Sequence, residues 1–321
     1  MKIKLMQQMA CMAAAWMTCT AAFAAGFPER QIKLLAAYPP AGGVDVAARI
    51  LANELSGRLG WTIVVENKPG AAGSVGTAAV ATSPADGYTI LITANPSITI
   101  VPYISNVSYD PVKDLVPVAK MAVSPTIVAV KKEAPYRSLQ DFLESGRSKS
   151  LTIGIPGARS NPQAELMLLG KHAHSRIEPV PYKGATFIVQ DVLGGQIDAG
   201  AMALPAIVPQ IEGGKMRGLA VISPQRSTVL PDVPTVREAA GVDLDGIPTW
   251  YGLFVPAGTP PEAIATLEKE ILAAMRNPDA IAKLKAAGAD ALQVGSKQFQ
   301  QELAEETQLL KDTVAEFKSS F

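Results

Sequence analysis

The chain has 321 residues, 29 Lys and Arg against 29 Asp and Glu, and 48% hydrophobic residues. That balance argues against nucleic acid or an anionic membrane surface as the main partner. The length allows one large domain or two ordinary ones.

Lys2 and Lys4 precede an apolar stretch over residues 5–22, and Ala22-Phe23-Ala24 gives the small-x-small pattern of a secretory cleavage site. Residues 1–24 therefore read as a cleaved signal peptide rather than a membrane anchor, the run being marginal in length and broken by Gln7, Gln8, Thr18 and Thr20. Cys11 and Cys19 both lie within it, so cutting before Ala25 leaves 297 residues, no cysteine and a net charge near −2. The mature chain thus has no disulfide, thiol nucleophile or thiolate metal site.

Residues 31–37 read as a buried strand, and residues 44–59 as a helix with Val44, Ala47, Ala48, Leu51, Leu55 and Leu59 on one face. Gly60 has the position of a C-terminal cap, "WTIVVEN" (61–67) is a second strand, a Gly-rich turn leads into a short Ala-rich helix, and "YTILIT" (88–93) is a third strand. This is the grammar of a parallel sheet covered by helices. Residues 114–133 form a long β-branched stretch broken by Pro117 and Pro125, which reads as a connector into a second lobe. There the pattern restarts: "SLTIGIPGARSNPQAELMLLGKHA" is strand, turn and helix, and "IEPVPY", "ATFIVQDVLGGQ", "IDAGAM", "AIVPQIEGG" and "MRGLAVIS" alternate strand with helix. A second extended segment, "TWYGLFVPAG" (249–258), reads as the return crossing, and helices are predicted over 260–276, 278–287 and 297–318. The expected architecture is α/β with two lobes joined by two crossing strands, residues 25–125 with 226–321 forming one lobe and 126–225 the other. Such a hinge over a cleft closes on ligands.

In open α/β sheets ligands bind beyond the carboxyl ends of the strands. In the first lobe those positions hold Tyr38, Pro40, Ala41, Gly42 and Gly43, then the glycine-rich 69–74, then Ala94, Asn95 and Ser97. In the second they hold Ala158, Arg159, Ser160 and Asn161, then Tyr182 and Lys183, then Ala201 and Met202. Small residues let a ligand approach the main chain, and free N–H groups at a helix N-terminus favour an anion. A small carboxylate is the ligand such loops suit. Asp45 and Arg49, four apart, suggest a helix-surface pair beside the first loop, with ligand contact by Asp45 the alternative.

Competing motifs fail. Gly70, Gly73 and Gly76 give G-x-x-G-x-x-G and follow the second strand, not the first; no phosphate-binding G-x-x-x-x-G-K-[ST] exists; Ser74 lacks the G-x-S-x-G frame. His172 and His174, two apart near a helix end, point away from each other and read as surface residues, not metal ligands. Trp250 and Tyr251 read as core or hinge packing. No catalytic residue, cofactor or metal is expected.

Several ordered segments make the chain similar to the Bug family of periplasmic solute-binding proteins, the receptors of tripartite tricarboxylate transporters: "FPERQIKLLAAYPPAGGVDVAAR", "VVENKPGAAGSVGTAAVATSPADGYTILI", "YDPVKDLVPVAK", "VPYKGATFIVQDVLGGQIDAG", "GGKMRGLAVIS", "RSTVLPDVPTVREAAG" and "WYGLFVPAGTP". The resemblance implies a type II-like Venus flytrap in the periplasm, a monomer that binds a small carboxylate and presents it to membrane permease components. It places the ligand carboxylate on main-chain amides of residues 38–43 and 93–97, with second-lobe contacts at 157–161, 182–184 and 201–202. One departure is "GARSNPQAEL", where Arg159 replaces an expected small residue and no His follows, so a ligand with a second anionic group is expected there. The alternatives are a secreted enzyme acting on a carboxylate, which would need a base or nucleophile these loops do not pair with a histidine, and a sensory co-receptor sharing the same site.

Overall fold

The computed structural model describes residues 27–316 except Arg159 and residues 245–247, so the expected signal peptide and the Arg159 side chain lie outside the described residues. Strand β1 (Ile32–Ala36) buries four of its five residues, as a strand covered on both faces must. Helix α1 (Gly43–Leu59) turns Val44, Ala47, Ala48, Leu51 and Leu55 inward, and Gly60, at φ 70°, ends it in the left-handed conformation with its N–H on the Ser56 carbonyl. Strand β2 (Ile63–Asn67), helix α2 (Ser74–Ala81) and strand β3 (Thr89–Ala94) follow, with β1 between β2 and β3 and parallel to both. After β3 a π-helical turn (Pro96–Ile100) runs into α3 (Val101–Ile104), then β4 (Leu115–Ser124).

Pro125 alone separates β4 from β5 (Thr126–Lys131). Beyond it come α4 (Leu139–Ser145), β6 (Leu151–Ile155), α5 (Asn161–Ala173), β7 (Ile177–Pro181), α6 (Ala185–Gly194), β8 (Ala199–Ala203), α7 (Val208–Glu212), β9 (Met216–Ile222) and α8 (Val236–Ala240). The chain then forms β10 (Thr249–Pro256), α9 (Pro261–Ala274), α10 (Pro278–Ala286), β11 (Asp290–Gly295) and α11 (Ser296–Glu316).

The strands make two sheets, β11-β4-β10-β3-β1-β2 and β7-β6-β8-β5-β9. Each contains a parallel trio, β2-β1-β3 or β7-β6-β8, flanked by an antiparallel strand. That strand arrives each time from the other sheet, β5 directly after β4 and β10 after β9 by way of residues 223–248. Pairing directions fix the consequence. The last residue of β4, Ser124, lies beside Thr249 at the start of β10, while Thr126 at the start of β5 lies beside Ala203 and Ile222, the last residues of β8 and β9. The carboxyl edges of the two sheets therefore meet at Pro125, which is where ligand-binding loops of α/β sheets gather.

Three differences from the sequence pattern have physical reasons. Residues 249–256 do not themselves cross; they form an interior strand, because Trp250, Tyr251, Leu253, Phe254 and Val255 are buried, and the return passage is the loop-rich segment before them. The connector 114–133 supplies a full strand to each sheet. Strand β11, half-buried and pairing β4 across an irregular register, carries no alternation to announce it.

On the first sheet, one face packs on α1, α9 and α10, and the other holds Leu35, Leu91, Trp250 and Phe254 with Val80 of α2 and Phe299 of α11. Trp250 and Phe299 meet edge to face at 5.1 Å. Gly252 makes this approach possible, since a Cβ there would stand 2.6 Å from the Phe299 ring and 2.9 Å from Trp250. Gly252→Ala is expected to push α11 off the sheet at a cost of about 1–3 kcal/mol, read as a lower thermal unfolding midpoint. An unchanged midpoint would show that the ring can retreat freely.

Candidate functional site

The loop after β1 is shaped by one carboxylate. Asp45 is 3% exposed, and its Oδ2 accepts the Ala41 N–H at 2.9 Å and Arg49 Nε at 3.1 Å. Its Oδ1 accepts Asn67 Nδ2 at 2.8 Å and lies 3.0 Å from Arg49 Nη2. Both oxygens are thus bonded within the fold, and Asp45 forms the expected pair with Arg49. Burial works to raise its pKa, but the bonds from Arg49, Ala41 and Asn67 hold it below the ordinary aspartate value. The Ala41 bond stabilises a backbone at φ 62°, a left-handed conformation that costs a residue with a Cβ. Asn67 also donates to the Tyr38 carbonyl at 3.1 Å, fastening the start of the loop to β2. Pro40 and Ala41 are exposed, while Gly42 and Gly43 are partly so. A Cβ on Gly43 would lie 2.0 Å from the Tyr251 hydroxyl, so only glycine lets α1 begin there. The Tyr38 hydroxyl donates to the Ala72 carbonyl at 2.9 Å and ties this loop to the next.

The residues after β3 are enclosed. Ser97 is fully buried: its hydroxyl pairs with Thr93 Oγ1 at 2.7 Å and the Ala94 carbonyl at 3.2 Å, and its carbonyl accepts the Tyr109 hydroxyl. Its polar atoms build the turn instead of standing open. Asn95 is also fully buried, with Nδ2 donating to the Pro248 carbonyl at 3.3 Å and to Glu306 Oε1 at 3.2 Å. Glu306, from α11, was not singled out by sequence; it also accepts Thr99 Oγ1 at 2.8 Å and Trp250 Nε1 at 2.7 Å. Burial pushes its carboxyl above the ordinary glutamate value, against the lowering pull of Trp250, Thr99, Asn95 and the nearby Lys120.

On the second sheet, Ala158 is exposed, whereas Ser160 and Asn161 at the start of α5 are buried. Lys183 is exposed and Tyr182 half-buried, with its hydroxyl on Asp191 Oδ2 at 2.6 Å; burial and that carboxylate push the phenol up to about 12. Ala201 and Met202 lie inside β8 with their side chains in the core, so the carboxyl end of this strand falls at Ala203, later than the sequence pattern placed it.

What the two edges share is helix starts without side-chain caps. Helices α1, α2, α5 and α6 follow the parallel strands β1, β2, β6 and β7. Their cap positions are Gly42, Gly73, Ser160 and Gly184, and none makes a side-chain capping bond. Ser160, the one with a hydroxyl, turns it to the Gly157 carbonyl at 2.9 Å. Elsewhere α4 and α8 are closed by capping boxes from Ser138 and Thr235 and α10 by Asn277, while α9, starting after Pro260, also has no side-chain cap. First-turn N–H groups of a helix have no intrahelical acceptor, so the starts of α1 and α6 suit an anion. At α2 the Ser74 and Val75 N–H groups already bond the Ala71 and Gly70 carbonyls, and α5 has Pro162, without an N–H, in its first turn and Gln163 on the Ser160 carbonyl.

A family described as "Tripartite tricarboxylate transporter family receptor" matches residues 47–318. Protein BugT of Bordetella pertussis is 31% identical over 300 residues, covering 91% of this chain and 92% of its own length. Among solved structures, a Rhodopseudomonas palustris protein determined with adipate superposes with a TM-score of 0.84 at 28% identity, covering 90% of this chain and 98% of that one. MatC from the same organism, with bound malate, superposes at 0.80 with 28% identity, covering 90% and 100%.

A carboxyl held below its unfolded value of 3.8 stabilises the fold fully above that pH and loses the contribution as pH falls through the folded value. Asp45→Asn carries no such titration. It is expected to cost about 1–3 kcal/mol near neutral pH, and its deficit in melting temperature should narrow as the pH drops below 3.8. A deficit that stays constant down the acid limb would mean that the carboxylate charge is not what holds the loop.

Proposed function

The chain belongs to the tripartite tricarboxylate transporter receptor family, and we propose that it binds a small organic acid with two carboxylates between its two carboxyl edges and hands it to a membrane permease. The observation that carries this reading is the pair of helix starts at Gly42 and Gly184, one on each sheet's carboxyl edge and neither with a side-chain cap. One carboxylate sits on the main-chain N–H groups of residues 43–45, at the end of a loop whose geometry Asp45 maintains by taking the Ala41 N–H. The other is gripped from the second lobe by Arg159, whose planar guanidinium suits bidentate pairing with a carboxylate. Adipate and malate, found with the two similar proteins, both have this two-ended character. Receptors of this family are periplasmic, which agrees with residues 1–24 acting as a signal peptide. The protein works as a monomer, with residues 25–125 and 226–321 closing against 126–225.

Thermal shift against a panel of mono-, di- and tricarboxylates tests the reading. A ligand at about 100 times its dissociation constant stabilises the folded state by about 2.7 kcal/mol, a shift of several degrees. Adipate, malate or a related diacid is expected to give it, and consumption of any panel member would instead point to an enzyme. Arg159→Ala is expected to weaken a diacid by about tenfold or more while leaving the matching monoacid nearly unaffected. Equal losses for both would remove the second-carboxylate argument.

A further inference from the structure

Asn95 is the residue on which β3 hands over to the π-helical turn, at the carboxyl edge of the first sheet. An asparagine amide offers two hydrogens and one carbonyl oxygen. Both neighbours of its Nδ2, the Pro248 carbonyl and Glu306 Oε1, are acceptors, so the amide has one satisfactory orientation. The main chain of the same residue is fixed as well: its carbonyl accepts the N–H groups of Ile98 and Thr99, each at 2.8 Å, and Thr99 Oγ1 at 3.1 Å. Oδ1 is then left buried and without a hydrogen-bond partner among the described residues. Folded proteins leave few such atoms, and those that persist call for a function or a bound group.

Glu306 is held in its turn. Trp250 Nε1 donates to Oε2 and Thr99 Oγ1 to Oε1, and one turn earlier on α11 Glu302 pairs with Lys120 of β4. The carboxylate therefore comes from a helix anchored independently of the loop it serves.

We propose that Glu306 is a positioning residue for the ligand site, holding Asn95 so that Oδ1 is presented as a hydrogen-bond acceptor at the carboxyl edge of β3. This rests on the receptor reading above. An acceptor in that place cannot pair with a carboxylate oxygen, which is itself only an acceptor. It pairs with a hydroxyl, an ammonium group or an ordered water, and so favours an acid that brings a donor beside its carboxylate.

Two measurements on the full mature protein test this. In Glu306→Gln, Trp250 can only donate, so the glutamine oxygen turns to it and its NH2 faces Asn95, which loses one of its two acceptors. With asparagine side chains labelled by 15N and the Asn95 signal identified from Asn95→Asp, the ligand-free variant is expected to exchange the Asn95 amide hydrogens about tenfold faster than wild type. An unchanged rate overturns the proposal. The second measurement is malate affinity, with Trp250→Phe as the control that removes a bond to the other Glu306 oxygen while sparing the one to Asn95. Both variants are expected to melt earlier, but only Glu306→Gln should lose affinity by about tenfold; equal losses would mean that Glu306 serves stability alone. If neither malate nor adipate binds wild type, the diacid reading fails, and the exchange rates decide the role of Glu306 without it.

Discussion

Each sheet is completed by a strand that the chain brings from the other. Strand β5 reaches the second sheet straight from β4, and β10 reaches the first after β9. The second sheet is built from the uninterrupted stretch 126–222, whereas the first stays incomplete until the chain returns from it with β10 and β11. The same exchange decides where the loops go. Because β4 leaves the first sheet at its carboxyl edge and β5 enters the second at its own, the loops after six parallel strands converge without any further contact having to specify it.

At those edges the side chains mostly address the protein. Asp45 shapes the turn before α1, Ser97 closes the turn after β3, the Tyr38 hydroxyl joins two loops, and the Tyr182 hydroxyl reaches back to α6. The first-turn N–H groups of α1 and α6 have no intrahelical acceptor. A helix start contributes about 0.3–1 kcal/mol to an anion, up to about 2 in partly buried geometry. Micromolar binding needs about 8 kcal/mol. Helix dipoles therefore orient and select for charge, and the remainder has to come from hydrogen bonds to a charged acceptor, about 1.5–3 kcal/mol each. Binding of this kind can be both specific for acids and reversible.

The layout of α1 could be read directly from sequence, because the apolar spacing, the flanking glycines and the strands on either side all agree. The capping boxes at Ser138 with Asp141 and Thr235 with Glu238 were written there too, as the S/T-x-x-acid pattern, and mark two short helices that the hydrophobic period missed. The crossing at Pro125 was legible from its β-branched run. The return crossing was not, since an interior strand and a connector can share the composition of residues 249–256. Least legible were polar links across the chain. Asp45 with Asn67 spans 22 residues and Asn95 with Glu306 spans 211, and no local pattern encodes either. The site loops could be listed from sequence, but which of their polar atoms are already spent depends on those distant partners.

The two passages between the sheets are unequal. One is Pro125 alone; the other runs from β9 to β10 through residues that mostly pack on the second sheet, with Leu230, Val233, Val236 and Leu244 in its cores and Thr235 paired with Val221. Ser124 and Thr126 can never stand more than about 7 Å apart, whatever the sheets do. The molecule is thus a pair of plates pinned at one corner. A hinge at that corner would give an arc of travel whose radius grows from β4 and β5 towards β2 and β7. The far strands would carry the long stroke, and the glycines opening α2 and α6 would ride at its end.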